Sequence, residues 1–104
     1  MPPARRTPLS PAEIERRLAA LGAPWEVRGN ALRGEWRFKN FAQTESLVRA
    51  VLEIANRENH HPEAEFGFNY CRVLYTTHSA KALTALDFDC AESIKSAADK
   101  NAER

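Results

Sequence analysis

The stretch Leu32-Arg33-Gly34-Glu35-Trp36-Arg37-Phe38-Lys39-Asn40, continued by Phe41-Ala42-Gln43-Thr44-Glu45-Ser46-Leu47-Val48-Arg49-Ala50-Val51-Leu52-Glu53-Ile54-Ala55, changes its hydrophobic period at Asn40. Before Asn40, apolar and charged residues alternate with the two-residue repeat of a strand that has one wet face. Leu32, Trp36 and Phe38 fall on the side to be buried, and Arg33, Glu35, Arg37 and Lys39 on the solvated side. After Asn40, which can cap a helix, Leu47, Val48, Val51, Leu52, Ile54 and Ala55 form a broad stripe at helical spacing. A strand that runs straight into the main core helix requires a fold that mixes sheet and helix in one layer pair.

Working outward, Trp25-Glu26-Val27 alternates as well, and Arg28-Gly29-Asn30 tolerates the tight turn that makes a hairpin with residues 32–39. Further upstream, Ser10-Pro11-Ala12-Glu13 combines an N-cap serine, a proline at the first helical position and a glutamate at N3, and Gly22 ends the run. This predicts a first helix over residues 11–21 that packs through Ile14, Leu18 and Leu21, preceded by a mobile tail at residues 1–9. Downstream, no proline interrupts the second helix until Pro62, which forces His61 into extended or turn backbone and leaves His60 at the helix end.

Phe66 to Thr77 is rich in aromatic and β-branched residues, broken near Asn69, and reads as two short strands or one bent hairpin leading to His78. Thr84-Ala85-Leu86-Asp87 opens a third helix, with Leu86, Cys90 or Ala91, Ile94 and Ala98 as its stripe and a frayed end over Lys95–Arg104. The order α-β-β-α-β-β-α predicts an α+β fold: a four-stranded antiparallel sheet with three helices on one face, in a single domain over residues 10–104. The uncovered face must meet water or a second subunit.

A chain of 104 residues that is 43% hydrophobic suits one core. Fifteen basic against fourteen acidic residues give a net charge of +1, so the footprint of a nucleic-acid binder is missing. Cys71 and Cys90 make no C-x-x-C pair and no disulfide framework, which points to the cytoplasm. The first residues carry charge without a following apolar run, so neither secretion nor membrane anchoring is expected.

The three histidines, His60, His61 and His78, surround the end of the second helix and the last strand. Zinc is poorly served, because adjacent side chains splay apart and no second cysteine lies near Cys71. Nucleophilic catalysis lacks a cysteine next to a histidine and a serine in a nucleophile turn. Two readings stay open on the residues alone: a turn that caps the helix, or acid-base chemistry in which imidazoles flank a planar substrate with Asp87 orienting one ring.

Glu58-Asn59-His60-His61-Pro62-Glu63, then Phe68, Thr77-His78, Leu83-Thr84 and Asp87 resemble the signature of the pterin-4a-carbinolamine dehydratases. Trp25-Glu26-Val27, Gly29, Leu32 and Phe38-Lys39-Asn40-Phe41 are similar to the family's first hairpin and helix entry, so the resemblance covers about residues 10–98. It implies loss of water from a 4a-hydroxytetrahydropterin to give a quinonoid dihydropterin, with no metal or organic cofactor. It implies His60 and His78 as acid-base residues, and a substrate-binding set of His61, Asp87, Trp25, Pro62 and Glu58, with Asp87 orienting and Trp25 walling the pocket. It also implies a homodimer that extends the sheet to eight strands, and leaves tetramers through helix contacts open.

Other proteins of this family act without catalysis, as a dimerisation cofactor of a homeodomain transcription factor or as RuBisCO assembly factors. Phe66-Gly67-Phe68-Asn69-Tyr70-Cys71 is similar to the strand pattern of the second group as well, which would make the RuBisCO large subunit a partner and link the chain to carboxysomes. The chain departs from the family at Asn56, where an acidic residue is common, at Lys81-Ala82, where glycines are usual, and at Ala64.

Overall fold

The computed structural model describes residues 4–102. Its elements are α1 (Pro11–Leu21), β1 (Glu26–Arg28), β2 (Ala31–Arg37), α2 (Phe41–Glu58), β3 (Glu63–Phe66), β4 (Tyr70–Tyr75) and α3 (Ala85–Ala102). The four strands form one antiparallel sheet in the order β1-β2-β4-β3. This is the α+β architecture that the change of period implies.

Local chemistry sets the helix ends. The Ser10 hydroxyl accepts from the Glu13 N–H, and the Asn40 side chain accepts from the Gln43 N–H. α2 ends on Asn59, whose left-handed backbone returns its N–H to the Ala55 and Asn56 carbonyls. In the register, Leu32 pairs with Tyr75, Gly34 with Val73 and Trp36 with Cys71, so these side chains share the helix-covered face. They join Leu47, Val51, Ile54, Leu86, Cys90, Ala91 and Ile94 in one core.

The opposite face carries a charged lattice. Arg33 bonds Glu26 and Glu35, and Arg72 bonds Glu35 and Glu65. Arg72, then its neighbours Arg37 and Arg33, hold the Glu35 carboxyl below its ordinary range.

Gly34 lies where the two tryptophans meet the sheet. Trp25 and Trp36 pack edge to face with centroids 5.3 Å apart, and a Cβ on Gly34 would stand 2.9 Å from Trp36 and 3.0 Å from Trp25. The rings are packed against the core and cannot swing aside freely, so Gly34→Ala should destabilise the protein by about 1–3 kcal/mol. Chemical denaturation of the purified variant measures this; an unchanged midpoint would show that the tryptophan pair repacks without strain.

Four expectations are corrected. β3 begins at Glu63 rather than Phe66: as an edge strand with all four residues exposed, it needs no apolar alternation, and its Glu-Ala-Glu-Phe sequence hides it. Leu52, assigned to the core stripe, is 59% exposed because it lies past the edge of the α2 contact. The end of α3, expected to fray, is helical through Ala102: the Lys95 ammonium donates to the Leu21 carbonyl at 2.6 Å, and the Asn101 amide donates to the Gln43 carbonyl at 2.6 Å. Residues 103–104 lie outside the described residues.

Lastly, the segment expected as a tail is docked from residue 4 onward. Pro8 bridges Thr84, the Leu9 N–H donates to the Leu83 carbonyl at 3.0 Å, and Arg5 pairs with Glu58 and Asp89. Residues 1–3 of that expectation lie outside the described residues.

Candidate active site

Two junctions build the site. α2 terminates at Asn59, and Pro62 then turns the chain into β3, which presents His60 and His61 between the two elements. β4 ends at Tyr75 and leads through Thr76 and Thr77 to a tight turn at His78–Lys81, closed by a bridge between Thr77 and Ala82. Because β4 lies beside β3, the two junctions meet. Arg6, Asn59, His60, His61, Thr76, His78 and Ser79 line one open cavity of about 280 Å³. The topology thus gathers all three histidines at one hollow.

The imidazoles differ in environment. His60 is 7% exposed, stacks on the Tyr75 ring at 5.1 Å, and its carbonyl accepts from the Tyr75 hydroxyl at 3.2 Å. Its Nε2 lies 2.6 Å from Asp87 Oδ1. The carboxylate is an acceptor, so Nε2 carries the hydrogen and Nδ1 is the nitrogen left for a ligand. His61 and His78 are exposed and line the cavity, where a bound molecule would meet them.

Asp87 is wholly buried, and its other oxygen, Oδ2, accepts from the Thr77 hydroxyl at 2.8 Å and the Thr84 N–H at 2.9 Å. The Thr77 and Thr84 hydroxyls are themselves 2.8 Å apart. One side chain therefore caps α3, ties down the end of β4 and orients His60.

Of the residues expected to bind substrate, His61 lines the cavity, while Asp87 stands behind His60 without reaching it. Trp25 does not wall the site. It is buried in the core against Trp36, and among the described residues its indole N–H has no hydrogen-bond partner. Glu58 is drawn away by Arg5 and then Arg57, which hold its carboxyl below the usual range. Pro62 sets the turn and is not part of the lining.

Arg6, Thr76 and Ser79 also line the cavity, outside the set of residues expected from the sequence. Thr76 and Ser79 had a signal, since they flank His78 closely. Arg6 had none, since it is 53 residues from the Asn59 carbonyl to which it bonds.

The cysteines are remote from this chemistry. Both are free and buried, and burial pushes each thiol up to about 11, which leaves almost no thiolate at neutral pH. Among the described residues, no three His, Cys, Asp or Glu side chains are gathered as metal ligands would be. What the cavity offers is imidazoles: one fixed by a carboxylate and two exposed, in a hollow open to small molecules.

Lys81, at a position where the resemblance leads one to expect glycine, has φ of 53°, the left-handed region that disfavours a side chain. Its N–H donates to the His78 carbonyl at 3.1 Å, so the turn that carries His78 holds this strain. Lys81→Gly should stabilise the protein by about 0.5–1 kcal/mol, relief of the left-handed penalty outweighing the extra freedom of unfolded glycine. A thermal melt decides the sign, and a lowered midpoint would mean that the lysine side chain contributes a compensating contact.

Known proteins resemble this chain in sequence and in fold. The family profile described as pterin 4 alpha carbinolamine dehydratase matches residues 7–97. A protein of Legionella pneumophila, named provisionally as a pterin-4-alpha-carbinolamine dehydratase, is 43% identical over 88 residues, spanning 83% of this chain and 78% of that one. A Nitrosospira multiformis protein of the same provisional name is 44% identical over 87 residues, spanning 84% of this chain and 76% of that one.

Among solved structures, a transcriptional coactivator/pterin dehydratase from Brucella melitensis superposes with a TM-score of 0.83 at 29% identity, covering 88% of this chain and 99% of that one. A pterin dehydratase-like RuBisCO assembly factor of the alpha-carboxysome superposes with a TM-score of 0.61 at 19% identity, covering 71% of this chain and 86% of that one. That second likeness is one of fold alone.

Proposed function

Since the chain belongs to the pterin-4a-carbinolamine dehydratase family, we propose that it dehydrates a 4a-hydroxytetrahydropterin to the quinonoid dihydropterin by histidine acid-base catalysis. The observation that carries this reading is the convergence of His60, His61 and His78 on one cavity, with His60 held by buried Asp87. One imidazole protonates the 4a-hydroxyl, which leaves as water. Another removes a proton from a ring nitrogen, and its electron pair forms the new C=N bond. His60 and His78 take these roles, and His61 holds the heterocycle.

Asp87 is a positioning residue in this scheme. It fixes the His60 tautomer and ring plane, so that Nδ1 faces the reaction without reorganisation. The chemistry needs protons to arrive and leave, and the side chains of the cavity supply that without further groups. A hydroxylase-coupled assay tests the proposal: added protein should accelerate loss of the 4a-hydroxytetrahydropterin above its spontaneous rate. No acceleration at saturating protein would refute it.

A homodimer belongs to the same proposal. β3 is an exposed edge strand, and Phe41, Leu52, Phe66 and Phe68 are large exposed apolar side chains on it, beside it and on α2. Phe41 stacks on Phe68 at 6.5 Å, and Phe68 is 65% exposed. A second copy paired along β3 would extend the sheet and cover these rings.

The same apolar surface favours a second reading, a non-catalytic protein-binding role such as RuBisCO assembly. That role predicts a raised yield of assembled RuBisCO on co-expression even when all three histidines are replaced. An unchanged yield would dismiss it. Free buried thiols support a reducing compartment, the cytoplasm, for either role. Among the described residues no helix is long and apolar enough to cross a membrane.

A further inference from the structure

We propose that Arg6 is a specificity-determining residue, carried into the histidine cavity by the docked N-terminal segment, that selects pterins bearing an anionic substituent such as a carboxylate or a phosphate. The inference rests on the pterin reading of the cavity and adds to it the class of substrate.

The segment is pinned on both sides of Arg6. Before it, Arg5 bonds Glu58 at 3.0 Å and Asp89 at 3.2 Å. After it, Pro8 bridges Thr84 and the Leu9 N–H donates to the Leu83 carbonyl. Arg6 therefore reaches the cavity on a backbone that other residues already hold. Its guanidinium donates to the Asn59 carbonyl at 3.2 Å, which anchors one nitrogen at the cavity wall. Among the described residues no carboxylate pairs with it. A guanidinium has five N–H donors, and among the described residues only one of its nitrogens is engaged, so most of that capacity is left for a ligand.

Charge around the hollow points the same way. Its lining holds a guanidinium, three imidazoles and neutral polar groups, and no carboxylate. The nearby acids are spoken for: Glu58 by Arg5 and Arg57, and Asp87 by His60, Thr77 and Thr84. The formal charge of the lining is thus positive, and its strongest donor is a planar fork suited to two-oxygen anions. A neutral side chain on the pterin would leave that fork to water, whereas an anionic one would engage it.

The experiment compares fluorescence titrations of pterin-6-carboxylate and neutral 6-hydroxymethylpterin on the full chain, its Arg6→Gln variant and its Arg6→Lys variant. The wild type should bind the carboxylate about five- to tenfold more tightly, as a solvent-screened ion pair allows, and the preference should shrink at high ionic strength. Arg6→Gln should erase the preference, leave the neutral pterin's affinity within about twofold, and melt like the wild type, since Arg5, Pro8 and Leu9 keep the segment in place. Arg6→Lys should restore part of the preference through charge without the fork.

Equal affinities in the wild type, a preference that survives Arg6→Gln, or no binding of either pterin would each overturn the inference. Turnover of anionic and neutral 4a-hydroxytetrahydropterins separates it from the dehydratase reading. Turnover of both at equal kcat/KM leaves the enzyme standing and sinks the role of Arg6. Preferential binding without turnover of either does the reverse.

Discussion

His78→Ala is expected to lower the catalysed dehydration rate by about 10²–10⁴-fold while shifting stability by less than about 0.5 kcal/mol. The ring is exposed and lines the cavity, so its removal leaves no void and, among the described residues, no orphaned partner. That combination makes it the cleanest test of acid-base chemistry at this site. His60→Ala should be as damaging to turnover, but it is a poorer experiment. It leaves Asp87 Oδ1 without its 2.6 Å donor in a buried place and removes the ring stacked on Tyr75, which should cost about 1–3 kcal/mol.

His60→Gln keeps an N–H for Asp87 and loses the second ring nitrogen, so it should retain most stability and none of the catalysis. Rates are compared with the spontaneous dehydration in the same buffer. If His78→Ala and His60→Gln both keep wild-type rates, the imidazoles serve the fold or a partner, and the enzymatic proposal fails.

The path from sequence to this site was uneven for physical reasons. The period change at Asn40 and the proline at Pro62 are local signals, and they placed α2 and the two histidines at its end. The third histidine also came from local signals, because β-branched and aromatic residues mark β4 whatever lies around it. β3 escaped because an edge strand can be polar on both faces, so its residues carry no alternation.

Trp25 misled for a different reason. A tryptophan near a turn can wall a pocket or fill a core, and Gly34, which lets Trp25 and Trp36 sit on the sheet, decides for the core here. The docking of residues 4–9 depends on Arg5 reaching Glu58 and Asp89, 53 and 84 residues away, and no period or cap announces such pairs. Arg6 was invisible for the same reason. The role of Asp87 was legible only in part: as the acidic residue of a helix start it was visible, and as the partner of His60 it required the fold.

That double role makes Asp87 the most consequential single position. Asp87→Ala should destabilise the protein by about 3–5 kcal/mol, because the His60 ring N–H, the Thr77 hydroxyl and the Thr84 backbone N–H would all lose their acceptor in a dry setting. For a domain of this size the melting temperature should fall by roughly 12 °C or more. Asp87→Asn separates fold from chemistry. Its shape is nearly the same and its carbonyl oxygen can still accept from Thr77 and Thr84, so the loss of stability should be smaller, about 1–3 kcal/mol.

The amide NH₂ must then face His60 Nε2, which turns that nitrogen into an acceptor and moves the hydrogen to Nδ1, the nitrogen meant for the substrate. Turnover in Asp87→Asn should therefore fall about as far as in His60→Gln, in a protein that is still folded. Retention of wild-type kcat by Asp87→Asn would mean that the tautomer of His60 does not matter. The ring would then be held for the sake of the β4–α3 junction alone, since a general acid or base that works equally well with its hydrogen on either nitrogen is not being positioned by its carboxylate.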